Sequence, residues 1–131
     1  MYPVVARSRM TRWTESARHI AEEFTRRAAA RFGDRMERIV LFGSVARGTD
    51  GPESDIDVIV IVRDTSADLR DGLDAIAFDF TLNSGRGPAL VLYPGDAYAR
   101  ALTSGSELAQ TVEREGVVLW TRSEERSSAP A

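Results

Sequence analysis

Apolar residues recur at spacings of three and four through Trp13, Ala17, Ile20, Ala21, Phe24 and Ala28. This predicts a helix over Arg12–Phe32 with one buried stripe, stopped by Gly33. The pattern then changes to short continuous apolar runs. Residues 38–42, ending Ile39-Val40-Leu41-Phe42, read as a first strand, and residues 56–62 as a second. The second is apolar on both faces, which places it at the centre of a sheet. Between them, Ser44–Thr49 reads as a single helical turn capped by Ser44, and Asp50-Gly51-Pro52-Glu53 as a turn. Ser66–Asn83 predicts another helix, with Leu69, Leu73, Ile76, Ala77 and Phe80 on its buried side. Ala89–Tyr93 is a third strand, 96–115 is helical with a break near Ser104-Gly105, and Val117–Trp120 is a last strand. The order predicts an α/β (α+β) fold in which helices pack on a small sheet. Residues 1–121 form one domain in this reading, and residues 122–131, with Glu124-Glu125 and Ser127-Ser128, a disordered tail.

Composition narrows the class. The chain has 131 residues, 43% hydrophobic and 28% charged, as expected of one soluble globular domain. It contains no apolar run near the ~18 residues of a membrane span. Met1-Tyr2-Pro3-Val4-Val5-Ala6 is too short for a signal-peptide apolar core, so a cytoplasmic location is expected. The absence of Cys excludes disulfides, thiolate metal sites and cysteine catalysis. All 17 basic residues are Arg, which excludes a phosphate-loop lysine and Schiff-base chemistry. Net charge is −3, divided into +4 over residues 1–38 and −7 over the remainder. The basic front half reads as the solvated face of the first helix, and no nucleic-acid motif accompanies it. His19 falls off the apolar stripe, which makes it an exposed residue rather than a base.

The candidate chemistry sits at the strand tips. Gly43-Ser44 follows the first strand, and Asp55-Ile56-Asp57 opens the second. In extended chain, residues i and i+2 share a face, so Asp55 and Asp57 project together with Cα atoms roughly 6–7 Å apart. Two carboxylates completed by substrate phosphates suit Mg²⁺, and a pair of such ions suits phosphoryl transfer. Gly43 admits close backbone approach, the amides of Ser44, Val45 and Ala46 face an anion, and Arg47 adds charge one turn later. For one triphosphate to touch both pieces, the two strands must be antiparallel neighbours.

The run Leu41-Phe42-Gly43-Ser44-Val45-Ala46-Arg47-Gly48, followed by Ser54-Asp55-Ile56-Asp57-Val58-Ile59-Val60, resembles the minimal nucleotidyltransferases of the DNA polymerase β superfamily, of the MntA-like antitoxin type. Their signature is a Gly-Ser pair, about ten residues, then Asp-x-Asp. The resemblance extends more loosely over residues 10–120 and includes Glu115-Gly116-Val117-Val118-Leu119-Trp120. It implies a mixed sheet of the polymerase β palm type and transfer of a nucleoside monophosphate, AMP from ATP, to a hydroxyl with release of pyrophosphate. By carry-over, Gly43 and Ser44 hold the β/γ phosphates, and Asp55 and Asp57 bind Mg²⁺, two ions in the usual arrangement. It also implies a helical HEPN-type partner in a toxin–antitoxin pair, with a homo-oligomer or an aminoglycoside-type transferase as alternatives. The sequence departs from the family where active members carry a third carboxylate on the third strand: Ala89 stands there. Asp79 and Asp96 are the nearest substitutes in sequence. The departure keeps open a second reading, a binding module with weak or absent catalysis.

Other residues carry less. Trp13 and Phe24 are read as core. Tyr2, Tyr93 and Tyr98 are candidate self-modification acceptors for which a structural role is the default. Asp64, Asp68, Asp71 and Asp74 form a solvated acidic end of a helix, and Arg63 and Arg86 are unassigned surface charges.

Overall fold

The computed structural model describes residues 12–122. In chain order it contains α1 (Arg12–Phe32), a 3-10 turn (Gly33–Arg35), β1 (Met36–Phe42), α2 (Gly43–Arg47), β2 (Ile56–Val62), α3 (Ala67–Ser84), β3 (Pro88–Pro94), α4 (Gly95–Thr103), α5 (Glu107–Glu115) and β4 (Val117–Thr121). The strands form one mixed sheet in the order β3-β2-β1-β4. β1 pairs antiparallel with both β2 and β4, and β2 pairs parallel with β3. The expected antiparallel neighbours are therefore present, and β2 is central. Prolines bound β3 at both ends, which an edge strand tolerates because it need not donate every amide.

Each face of the sheet is covered by helices. On one face, Ile39, Leu41, Ile56, Val58 and Val60 pack with Phe24 of α1 and with Leu69 and Leu73 of α3. On the other, Val40, Ile59 and Ile61 pack with Tyr98 of α4 and with Ala109 and Val112 of α5. Both faces of β2 are thus dry, which explains its unbroken apolar run. Trp13 departs from expectation: it lies at the start of α1 with 40% of its surface exposed. Phe24 is fully buried, and His19 is exposed as expected. No helix among the described residues is long and apolar enough to cross a membrane. Apart from Arg122, the tail expected over residues 122–131 lies outside the described residues, as do Tyr2 and the segment 1–11.

Candidate active site at the tips of β1 and β2

Phe42, the last residue of β1, pairs with Asp57, the second residue of β2. That register sets the Gly-Ser turn beside the aspartates. Gly43 opens α2 with φ +81, and a Cβ built on it would stand 2.3 Å from Oδ2 of Asp57 and 3.2 Å from its Cγ. The carboxylate therefore lies against the glycine backbone. Only glycine supplies both the left-handed φ and the missing side-chain volume.

Asp57 is half-buried, and Asp55, just before the strand, is exposed. Burial pushes the Asp57 carboxyl up from its ordinary value, the nearby Asp55 charge pushes it further, and Arg47 partly opposes both. A half-buried carboxylate with a second negative charge beside it fits a hard divalent cation, which would offset that repulsion. Asp55 and Asp57 are the residues that would hold it. Among the described residues no group of three or more His, Asp or Glu side chains converges.

α2 is anchored rather than floating. Val45 is fully buried beneath α1. Arg18 of α1 donates to the carbonyls of Ala46 at 2.8 Å and Val45 at 3.4 Å. Gly48 closes the turn, with its amide on the Val45 carbonyl and the Thr49 amide on that of Ser44. Ser44 is not the cap: the helix begins at Gly43, Phe42 occupies the cap position, and no side chain caps it. Ser44 lies instead in the first turn, where amides have no intrahelical acceptor.

Arg47 contributes its field to Asp57, but its guanidinium pairs with Glu115 at 2.8 Å. Glu115 ends α5, an unfavourable place for an anion beside the helix dipole.

Ala89 pairs with Asp57 across the parallel β2–β3 ladder and is exposed. The position picked out by resemblance therefore adjoins Asp57 on the same face and carries a methyl group. Neither substitute reaches it. Asp79 pairs with Arg27 of α1 at 3.1 Å, and Asp96 accepts from the Ala97 amide at 2.8 Å in the first turn of α4.

Two residues escaped sequence reasoning. Asp50, expected in an exposed turn, has a fully buried side chain, and Arg86, expected on the surface, is only 18% exposed and faces it. The acidic stretch also divides: Asp64 and Asp68 are held by Arg35, which keeps both carboxyls below their ordinary range. Tyr98 is buried, donates to Glu113 at 2.7 Å, and has its hydroxyl pushed up to about 12 by burial and then by Glu113. It is a structural residue that joins α4 to α5.

Comparison with known proteins bears on the family and the fold. The Putative protein adenylyltransferase MJ1305 of Methanocaldococcus jannaschii is 44% identical over 45 residues, 34% of this chain and 31% of that protein. The matched stretch thus spans about a third of that relative's length. A crystal structure of a toxin–antitoxin with AMP-PNP superposes with a TM-score of 0.54 at 25% identity, covering 82% of this chain and 78% of that one. A structure described as a putative nucleotidyltransferase from Sulfolobus solfataricus superposes with a TM-score of 0.55 over 86% of this chain and 87% of that one; at 19% identity it shows the shared fold. Residues 21–113 match the family model for the nucleotidyltransferase domain, and the chain belongs to that family.

Proposed function

We propose that the chain is the donor half of an adenylyl transfer onto a second protein. The oxygen of an acceptor hydroxyl forms a bond to the α-phosphorus of ATP. The bond from that phosphorus to the bridging oxygen breaks, its electron pair leaves on pyrophosphate, and the hydroxyl proton passes to solvent. The observation that carries this reading is the seating of the Asp57 carboxylate against Gly43, which brings the phosphate-sized turn and the acidic pair into one place.

In this reading Gly43 and Ser44 bind the β/γ phosphates, and Asp55 and Asp57 would hold Mg²⁺. When bound, the ion would supply neutralisation of phosphate charge. Arg47 adds a positive charge to the same phosphates when it leaves Glu115. Support for a nucleotide and a protein partner comes from the similar toxin–antitoxin with AMP-PNP, and support for adenylyl transfer from the similar archaeal protein. A helical HEPN-type protein is the partner we propose.

The test is incubation with labelled ATP, Mg²⁺ and the protein encoded beside this one. Label on the partner that disappears with Asp57→Ala supports the transferase. Equal neutralisation of the partner by both chains, without label, overturns it.

A second reading, binding without turnover, is favoured by the methyl group of Ala89 beside Asp57. Ala89→Asp discriminates the two: label that appears only in this variant identifies the wild type as a binding module.

A further inference from the structure

Neither acidic side chain has a hydrogen bond or ion pair among the described residues, but Asp57 is half-buried against Gly43 whereas Asp55 is exposed, so the position of Asp55 is set by the backbone that delivers it. That backbone is gripped from below. Arg86, in the connection between α3 and β3, donates from Nη2 to the Ser54 carbonyl at 2.8 Å and from Nε to the same oxygen at 3.3 Å. Nη2 also reaches the Gly51 carbonyl at 3.3 Å. Ser54 immediately precedes Asp55. The loop is closed on itself by the Gly51 amide on Ser54 Oγ at 2.9 Å and the Ser54 amide on the Gly51 carbonyl at 3.2 Å.

Behind Arg86 lies Asp50, whose carboxylate is fully buried, 3.5 Å from Nη2 and hydrogen-bonded by the Thr14 hydroxyl of α1. Burying a carboxylate is costly unless it is paired and hydrogen-bonded. Both conditions are met here, and the charge so placed keeps the guanidinium under one peptide. We infer that Arg86 is a positioning residue for Asp55, set in place by Asp50 and Thr14. Its role is to fix the metal-binding half of the site, while Arg18 fixes the phosphate-binding half through the carbonyls of α2. The inference rests on the reading of Asp55 as a metal ligand.

The experiment titrates Mn²⁺ by electron paramagnetic resonance in the presence of AMP-PNP, with AMP-PNP affinity in EDTA and circular dichroism measured beside it. Removing an outer support of a metal ligand typically weakens the metal 10–100-fold. Arg86→Gln is expected to weaken Mn²⁺ about tenfold or more, with native dichroism and metal-free nucleotide affinity within about twofold. Arg86→Lys, which restores one donor but not the double grip, is expected to recover part of that loss. Should Arg86→Gln fail to fold, Thr14→Val removes the hydroxyl that donates to Asp50 and is expected to weaken Mn²⁺ by about twofold or more. Unchanged Mn²⁺ affinity in a folded variant overturns the inference alone. Failure of the wild type to bind Mn²⁺ with AMP-PNP overturns the underlying metal reading, and the inference with it.

Discussion

Gly43→Ala and Gly48→Ala form a matched pair. The two glycines flank α2 at nearly the same backbone angle, φ +81 and +78. An L side chain at such an angle costs roughly 1–2 kcal/mol, so both variants should lose that much stability in urea. Their surroundings differ. Nothing stands within 4 Å of a Cβ on Gly48, whereas one on Gly43 would stand 2.3 Å from Oδ2 of Asp57. An ordinary contact needs about 3.4 Å, so the carboxylate must withdraw by about 1 Å. A displacement of that size at a reacting centre can cost on the order of 10²-fold. The expected result is transfer of labelled AMP slowed about 100-fold by Gly43→Ala and changed by less than about twofold by Gly48→Ala, at equal loss of stability. Equal slowing by both would mean that strain in the turn, rather than the Gly43–Asp57 contact, governs the site. Full activity of Gly43→Ala would refute the contact as the site's organising feature.

Asp57→Asn should stabilise the metal-free protein near neutral pH. The folded state binds the Asp57 proton more tightly than the unfolded chain, so the carboxyl's contribution is fullest below its ordinary pKa and is lost as pH rises through the raised value. Thermal melts in EDTA should show the gap between variant and wild type opening with pH, and no gap at pH 7 would contradict this. Glu115→Gln releases Arg47 from a part-exposed pair worth about 0.2–1 kcal/mol, so Kd for ATP should tighten by up to about fivefold. Weaker binding would show that Glu115 orients Arg47 rather than restraining it. Tyr98→Phe removes a buried hydroxyl that donates to Glu113, and should cost about 1.5–3 kcal/mol of stability without altering incorporation of label. Label lost in this variant would make Tyr98 an acceptor.

Periodicity carried most of the fold because the helices bury one stripe each and the strands are short apolar runs. Element ends slipped by a residue or two where backbone pairing decides, as at Met36, which joins β1 ahead of the apolar run. The juxtaposition of the Gly-Ser turn and the aspartates was legible because these residues fall in one segment, Gly43 to Asp57, at the tips of two strands joined by a short connection. What stayed hidden depends on distant pairing. Arg86 meets Asp50 across 36 residues, and Arg47 meets Glu115 across 68. Charged residues give no sign in sequence of which partner tertiary structure will supply. Asp50 misled for a related reason: turn chemistry implies exposure, but here Thr14 and Arg86 satisfy its oxygens in the interior.

The dryness of both faces of β2 has a consequence for folding. Strand register is usually enforced by alternation, since a slip of one residue turns the apolar set outward. With both faces buried, Val58, Ile59, Val60 and Ile61 can exchange sides at little hydrophobic cost. Asp57 cannot: the same slip would carry its carboxylate toward the apolar layer beneath α1 and α3, where an unpaired charge costs several kcal/mol. The residue proposed to hold the metal thus also reports misalignment of the central strand, so a chain that folds out of register is disfavoured by the same charge that is proposed to hold the metal.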